Sequence, residues 1–287
     1  MNLSDSQRHP GAFDGVDRLS PSELRRRFRR GLEVPTTAGL ARGYVQMSLT
    51  ILPEKAVEDF VGFAEANRRA MPVLAVLPAG AWSPTEFAED ADLRRDLPAY
   101  RVYRHGRAME DVSEIVGLWR DDLVCIMSGC SYTFEEALED AGIRLTNLAT
   151  GSGPAIYRTS WPCVPHGPYA APLVVTMRPI PREDVARAIE ATSRYPDFHG
   201  EPVHVGDPAE LGIVDLRDVD YGGAPTLQAD EVPLFWACNV TRHIALQNAG
   251  VPFAITNAPS RMFVTDVPRS SFERGSPLSG RRLGGER

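Results

Sequence analysis

The 287-residue chain has almost no lysine and lacks the signatures of several protein classes. Lys55 is the only lysine among 31 basic residues, so Schiff-base chemistry would have to rest on this one side chain. No stretch approaches the roughly 18 apolar residues of a membrane span, and the N-terminus has no apolar signal segment. A formal net charge of -7 argues against a general nucleic-acid-binding protein. We therefore expect a cytoplasmic protein that binds neither membranes nor nucleic acids.

The sequence also lacks the patterns of a disulfide scaffold and of a nucleotide-binding loop. The four cysteines have no close C-x-x-C spacing and do not form a disulfide scaffold; they are Cys125, Cys130, Cys163 and Cys238. The glycine-containing segment 37–46 matches neither the dinucleotide-binding fingerprint nor the P-loop. We therefore infer no nucleotide site from this segment, and the reaction proposed below requires no cofactor.

One sequence pattern, C-x-x-T-x-x-x-A-L-x-x-A-G-[IV], occurs twice, at residues 130–143 and 238–251. Each copy follows an apolar run. The pattern predicts a strand, a tight connection that carries the cysteine, a helix capped by Thr133 or Thr241, and a glycine just past the helix end. Thr133 and Glu136 also have the spacing of a capping box.

The position of the cysteine in this pattern gives it chemical interest. A thiol beside a helix N-terminus lies near unpaired N–H groups, which favour the thiolate and can also hold a carboxylate or a developing oxyanion. Two copies could place two such helix ends across one cleft, with Ser131 beside the first. We therefore take Cys130 and Cys238 as catalytic candidates, and Ser131, Thr133 and Thr241 as substrate-binding candidates. In the alternative interpretation each cysteine is a small apolar residue and each threonine is only a cap.

The order of predicted elements indicates an α/β fold. Helices and strands alternate up to the first cysteine motif, as in a layered α/β domain. Two strands, a loop and a helix then precede the second motif, which suits a smaller inserted α+β domain of two layers. We predict a discontinuous main domain at 20–145 and 205–268, an inserted domain at 146–204, and flexible tails at 1–19 and 269–287.

The segment 199–208 is dense in groups that transfer protons. His204 lies between two valines and would face inward in an extended segment, so it is the preferred acid or base. His199 and Asp207 would assist it, although His199 could be a structural turn residue and Asp207 a helix cap. A zinc site shared with a motif cysteine is a further alternative, but the spacing lacks H-E-x-x-H order. We predict no metal.

Two arginines interrupt apolar strands and could bind substrate carboxylates. Arg158, with Tyr157 beside it, and Arg178 are the candidates, because a guanidinium pairs with a carboxylate through two hydrogen bonds. Each arginine could instead pair with a neighbouring acidic side chain. Asn257 follows a predicted strand, and its amide could reach a cleft.

Taken together, these motifs resemble the D-glutamate cyclase and hydro-lyase family over about residues 20–268. The segments that carry the resemblance are Thr37–Leu40, Asp96–Tyr103, Trp119–Val124, Gly129–Glu135, Tyr157–Thr159, Met177–Pro179, His199–Pro208, Phe235–Cys238 and Val264–Asp266. The family implies a two-domain α/β protein with an inserted smaller domain. It also implies reversible, cofactor-free closure of D-glutamate to 5-oxo-D-proline with loss of water.

The chain departs from the usual family pattern at a few positions near the second cysteine motif. Asn257 stands where the family usually has His, Ser260 and Asn239 where it has Gly, and Arg242-His243 where it has Pro-Gln. These departures suggest an altered substrate.

The resulting functional hypothesis is a hydro-lyase that interconverts an amino diacid and its lactam. The first alternative is a cofactor-free racemase or epimerase in which two cysteines move the α-proton. The second is a small-acid binding protein that has lost catalytic activity. In each case the expected partner is a small amino acid or carboxylic acid, and a homo-oligomer is possible.

Overall fold

The structure is a computed structural model that describes residues 15–145 and 153–282. These residues form five α-helices and eleven β-strands. The helices are α1 (Pro21–Phe28), α2 (Val57–Ala66), α3 (Tyr132–Asp140), α4 (Val185–Ser193) and α5 (Thr241–Asn248). The strands are β1 (Tyr44–Pro53), β2 (Val73–Val76), β3 (Tyr100–Arg104), β4 (Arg107–Val112), β5 (Leu123–Gly129), β6 (Ala155–Pro162), β7 (Pro172–Pro181), β8 (His204–Val205), β9 (Glu231–Ala237), β10 (Phe253–Asn257) and β11 (Phe263–Pro268).

The strands form two antiparallel sheets. The larger sheet has the order β2-β5-β1-β10-β3-β4, with β11 also paired to β1. Its central strands β1 and β5 are almost wholly buried, which their runs of apolar and small residues favour, whereas the charged edge strand β4 is exposed. Mixed helices and antiparallel sheets are consistent with the predicted α/β class.

The smaller sheet has the order β6-β7-β9-β8 and changes one part of the predicted domain assignment. Strand β9 lies in the predicted main domain, yet it pairs with β7 along its whole length, from Val175↔Ala237 to Pro181↔Glu231. The boundary at residue 204 therefore does not separate the two sheets. The layered arrangement with an inserted domain remains a prediction, and residues 146–152 lie outside the described chain.

The hydrophobic core joins the two sheets. Its largest cluster combines buried side chains of β1 and β5 with residues of α3, α4 and β9. At the centre, the rings of Phe134 on α3 and Trp236 on β9 lie 5.7 Å apart. A second cluster includes side chains of α2 and α5. The two cysteine-bearing strand–helix elements, β5–α3 and β9–α5, are thus held together by the core.

The predicted flexible tail from residue 269 is wrong for its first residues. A short 3-10 helix at Arg269–Phe272 continues from β11, and Phe272 is fully buried against Phe198. Glu273 accepts a hydrogen bond from the Tyr195 hydroxyl at 2.6 Å. Residues 1–14 and 283–287 of the predicted tails lie outside the described chain. Across residues 15–145 and 153–282, no helix is both long and apolar enough to span a bilayer.

Candidate active site

A cavity of about 110 Å³ lies where the two cysteine motifs meet. We call it the two-cysteine cavity. Its walls include five of the predicted site residues, namely Cys130, Ser131, His199, Cys238 and Asn257. An engineered protein cavity of about 150 Å³ holds benzene, so a space of this size suits a small organic molecule.

The two motifs meet directly. The side-chain amide of Asn239, next to Cys238, donates a hydrogen bond at 2.5 Å to the carbonyl of Gly129, next to Cys130. Each sulfur also receives a backbone N–H from the residue two positions on. The Val240 amide donates to Cys238 Sγ at 3.5 Å, and the Tyr132 amide bonds to Cys130. The cysteines therefore occupy equivalent positions at two helix starts beside one cavity.

Burial outweighs these amides in setting the state of the thiols. It raises the pKa of Cys130 to about 12, although the Tyr132 amide acts in the opposite direction. Burial also raises the pKa of Cys238. The prediction that the helix ends favour thiolates is therefore wrong. Burial destabilises each thiolate more than the backbone amides stabilise it, so the pKa of each thiol rises. At neutral pH both groups are thiols.

The motif threonines serve the fold instead of the cavity. Helix α3 already begins at Tyr132, and the Thr133 hydroxyl accepts a hydrogen bond from the Gln46 amide on β1 at 3.1 Å. The Thr241 hydroxyl accepts in the same way from the Val174 amide on β7 at 3.0 Å. Neither threonine is in the cavity wall. The predicted caps are therefore wrong, since each hydroxyl ties its helix to the neighbouring strand.

The predicted capping box also has a different role. The Glu136 carboxylate accepts a hydrogen bond from the Gly43 amide at 2.7 Å, so it does not reach back to its own helix start.

His199 is the predicted histidine that reaches the cavity. It follows the 3-10 helix Pro196–Phe198 in a left-handed conformation with φ 78° and is 2% exposed. Its Nδ1–H donates to the Arg69 carbonyl at 2.7 Å, which leaves Nε2 unprotonated in the neutral ring. Burial lowers the pKa of His199 to about 4. The imidazole is therefore a neutral proton acceptor at pH 7.

His204 and Asp207 lie outside the cavity wall. His204 does face inward from β8, as predicted, but its ring packs 5.7 Å from Phe235, and its Nε2–H donates to the Asp207 carbonyl at 2.7 Å. The Asp207 carboxylate accepts from the Ala209 amide at 2.9 Å and caps a short 3-10 helix. The structure therefore does not bring His204 or Asp207 to the two-cysteine cavity, and their proton-transfer role stays a prediction.

The two predicted carboxylate-binding arginines have protein partners. Arg178 is buried and pairs with Glu135 at 2.5 Å, while its Nη2 also donates to Ser131 Oγ at 3.2 Å. Arg158 is half-exposed and pairs with Asp220 at 3.3 Å. The structure therefore favours the alternative in which each arginine pairs with an acidic side chain.

Tyr157, beside Arg158, donates its hydroxyl hydrogen bond to the Leu216 carbonyl at 2.6 Å and is outside the cavity wall.

Arg242 also lines the cavity, although in the sequence it stands out only as a departure from the family pattern, with no predicted role in the site. It is 2% exposed, and its Nη2 donates to Asn257 Oδ1 at 2.6 Å. The same Asn257 oxygen accepts from the Leu49 amide at 2.9 Å. The side-chain oxygen of Asn257, which was predicted to bind substrate, is therefore occupied by Arg242 and the backbone of β1. A comparison of the two motif copies could have found Arg242, because it stands where the first copy has Phe134.

A buried pair of aromatic side chains completes this wall of the cavity. The Tyr103 hydroxyl and His243 Nδ1 share a hydrogen bond at 2.5 Å. Burial lowers the pKa of His243 well below its usual range and raises the pKa of Tyr103. Among residues 15–145 and 153–282, no three His, Cys, Asp or Glu side chains are grouped as a metal site requires.

Comparisons with known proteins agree with the resemblance found in the sequence. Residues 124–266 match the family model described as D-glutamate cyclase. A protein of Saccharopolyspora erythraea named "Putative hydro-lyase" is 47% identical over 254 residues, covering 88% of this chain and 99% of its own. Proteins of the same name from Rubrobacter xylanophilus and Nocardioides sp. are 47% and 43% identical, covering 88% and 92% of this chain and 97% of their own. The chain therefore belongs to the D-glutamate cyclase family.

Proposed function

We propose that the protein is a hydro-lyase that interconverts an amino diacid, such as D-glutamate, and its lactam, such as 5-oxo-D-proline. The observation that carries the proposal is the composition of the two-cysteine cavity. Two thiols beside two helix starts and the neutral imidazole of His199 line a single small space. The names of the family model and of the relatives support the reaction class.

Ring closure makes specific demands on such a cavity. The substrate nitrogen attacks the side-chain carboxyl carbon, so a C–N bond forms and a C–O bond breaks. Starting from the ammonium carboxylate, the protons that the nitrogen gives up leave with the departing oxygen as water, and no net charge is released. Holding both groups in one molecule contributes much of the acceleration, since effective molarities reach about 10⁵ M or more.

The residues of the cavity can meet these demands. His199 Nε2 accepts a proton from the substrate nitrogen and passes it to the leaving oxygen. The thiols of Cys130 and Cys238 and the nearby backbone amides donate hydrogen bonds to the oxyanion of the tetrahedral intermediate. Because both thiols are protonated at neutral pH, we assign them hydrogen-bond donation and proton transfer in place of nucleophilic attack.

The departures from the usual family pattern support an altered substrate. Asn239, Arg242, His243, Asn257 and Ser260 all line the two-cysteine cavity. Changes confined to a cavity wall leave the fold intact while they alter which molecule fits. We therefore propose a relative of D-glutamate, differing in length or substitution, as the substrate.

The test is conversion by the purified protein of D-glutamate, 5-oxo-D-proline and their homologues with one more methylene. NMR detects the ring, and ¹⁸O-labelled water reports the bond that breaks. We expect Cys130→Ala and His199→Asn to lower kcat by about 10²- to 10⁴-fold, the usual contribution of a proton-transfer group. His204→Ala is the matched control outside the cavity and should keep the wild-type rate. Unchanged rates in both cavity variants would remove the assignment.

A racemase or epimerase is the second candidate, favoured by the equivalent positions of the two cysteines in the cavity wall. Exchange of the α-hydrogen with deuterated water, without loss of water, would select it over the cyclase. Tight binding of an acid with neither reaction would instead support the binding protein that has lost its activity.

A further inference from the structure

Arg242 differs from the other buried arginines in having no carboxylate partner. Three arginines are buried in the described chain, namely Arg25, Arg178 and Arg242. Arg25 pairs with Asp90 and Asp266 at 2.5 and 2.8 Å, and Arg178 pairs with Glu135 at 2.5 Å. For the Arg242 guanidinium, the hydrogen bond to Asn257 Oδ1 is the one hydrogen bond found among the described residues, and Nε is buried without a partner.

An arrangement of this kind is costly in a folded protein. A buried charge that lacks an opposite charge destabilises the fold, because the charged group loses its hydration without gaining a counter-charge. Burial lowers the pKa of Arg242 to about 10, which still leaves the guanidinium charged at neutral pH. A cation retained at this cost indicates that an anion binds beside it.

The protein also holds this guanidinium in a fixed position. Asn257 Oδ1 accepts from Arg242 Nη2 and from the Leu49 amide of the central strand β1, so one edge of the guanidinium is anchored to the sheet. Nε and the remaining N–H groups have no protein acceptor in the described chain. Arg242 also lines the two-cysteine cavity. Planar N–H donors of this kind match the two oxygens of a carboxylate.

The rest of the wall indicates which other charges a ligand can carry. Among the described residues that line the cavity, none is Asp or Glu. Arg101 is a second arginine in the wall, but Asp111 pairs with it at 2.7 Å. An ammonium group would therefore lie near a cation with no carboxylate to accept it. A second carboxylate would have no second unpaired cation.

From these observations we infer that Arg242 binds the substrate carboxylate, and that the preferred ligand is a small acid with one carboxylate and otherwise uncharged polar groups. A lactam acid fits this description better than a zwitterionic amino diacid does. The choice of a lactam rests on the proposed function, whereas the carboxylate site rests on Arg242 alone. Arg242 is thus a specificity-determining residue that favours binding of the lactam acid over the amino diacid.

The experiment measures binding, so it does not depend on turnover. Calorimetry with the full chain compares 5-oxo-D-proline, its carboxamide, D-glutamate and glutarate. The wild type should bind 5-oxo-D-proline at least about 10-fold more tightly than the carboxamide, a difference of about 1.4 kcal/mol. It should also bind the lactam acid more tightly than D-glutamate or glutarate.

Variants at position 242 separate the carboxylate site from a general structural effect. Arg242→Gln should bind acid and carboxamide equally, and Arg242→Lys should restore part of the preference. Arg158→Gln is the matched arginine control outside the cavity and should leave the preference unchanged. Thermal unfolding should show that Arg242→Gln is at least as stable as the wild type, because a buried unpaired charge is gone.

The possible results distinguish this inference from the proposed function. An unchanged acid preference in Arg242→Gln, or no binding of any of the three acids by the wild type, would overturn the inference. If Arg242→Gln keeps the acid preference and the wild type converts the lactam, the inference fails and the proposed function stands. If Arg242→Gln loses the acid preference and the wild type converts none of these acids, the carboxylate site is supported and the cyclase is refuted.

Discussion

Arg178→Met should destabilise the fold and should not act through ligand affinity. The guanidinium joins β7 to α3, since its Nε and Nη2 both donate to Glu135 Oε1, at 3.0 and 2.5 Å. Its Nη1 donates to Thr176 Oγ1 at 3.1 Å, and its Nη2 to Ser131 Oγ at 3.2 Å. The side chains of Arg178 and Glu135 are each 1% exposed. Methionine keeps an unbranched apolar side chain but removes the charge and all of these hydrogen bonds.

The magnitude follows from the burial of the pair. Breaking a buried ion pair by removing one partner costs about 3–5 kcal/mol, because the other charge stays in a low-dielectric site. We therefore expect the free energy of unfolding to fall by about 4 kcal/mol. Urea denaturation followed by tryptophan fluorescence measures this change, since the ring of Trp236 lies 5.4 Å from the guanidinium carbon.

The double variant Arg178→Met/Glu135→Leu provides the control. It removes both charges, so its loss should be smaller than that of Arg178→Met alone. With Glu135→Leu as the second single variant, the double-mutant cycle gives the coupling between the two groups. The reasoning would be refuted if Arg178→Met unfolded within about 1 kcal/mol of the wild type yet bound acids much more weakly. That result would return Arg178 to the substrate-binding role predicted from the sequence.

Three further predictions concern the cavity and its supports. Gly129→Ala should cost about 1–3 kcal/mol and reduce turnover, because a Cβ at this position would collide with the Asp197 carbonyl; Gly117→Ala, where a Cβ meets no atom within 4 Å, is the matched control in urea denaturation. In His199→Asn, the free energy of unfolding should fall less steeply below pH 6.5 than in the wild type. Burial lowers the pKa of His199 to about 4, so between pH 6.5 and 4 the unfolded chain binds a proton at this histidine and the folded protein does not; this difference lowers the free energy of unfolding by about 2 kcal/mol at pH 5 relative to pH 7. The same pH dependence in the two proteins would contradict it. Alkylation of Cys130, followed by mass spectrometry, should be slow at pH 7 and rise about 10-fold per pH unit up to its pKa of about 12; fast labelling at pH 7 would show a thiolate and revive the nucleophile hypothesis.

Local sequence patterns predicted single helices and strands well, but they did not predict which strands pair with each other. The apolar runs before both cysteines are strands, as predicted. The pairing of β9 with β7 was missed, because an apolar run shows that a strand is buried but not which neighbour it binds. The tail prediction failed at Phe272 for a similar reason, since a polar segment can still be held by one buried aromatic side chain.

For the candidate site, the repeated motif predicted one feature that the structure shows, namely two cysteines beside one cavity. The repeated pattern placed Cys130 and Cys238 together, because identical spacing after two strands puts both sulfurs at helix starts. His204 was preferred over His199 because side chains alternate between the two faces of a strand. This alternation predicts the face on which a side chain lies, but it does not predict what lies against that face. His204 faces Phe235, whereas His199 reaches the cavity through a left-handed turn that alternation does not describe.

The two copies of the motif have equivalent frameworks and different chemistry. Position 134 in the first copy and position 242 in the second follow their cysteines by the same spacing, and both side chains are buried. The first position holds Phe134, which packs on Trp236, so the motif can fold with an apolar side chain at this position. The second holds Arg242, whose charge the packing does not require and whose burial costs free energy. Because the framework can be built without a charge at this position, packing alone does not explain the guanidinium. The asymmetry between the copies therefore supports the proposed carboxylate site at Arg242 in the second motif.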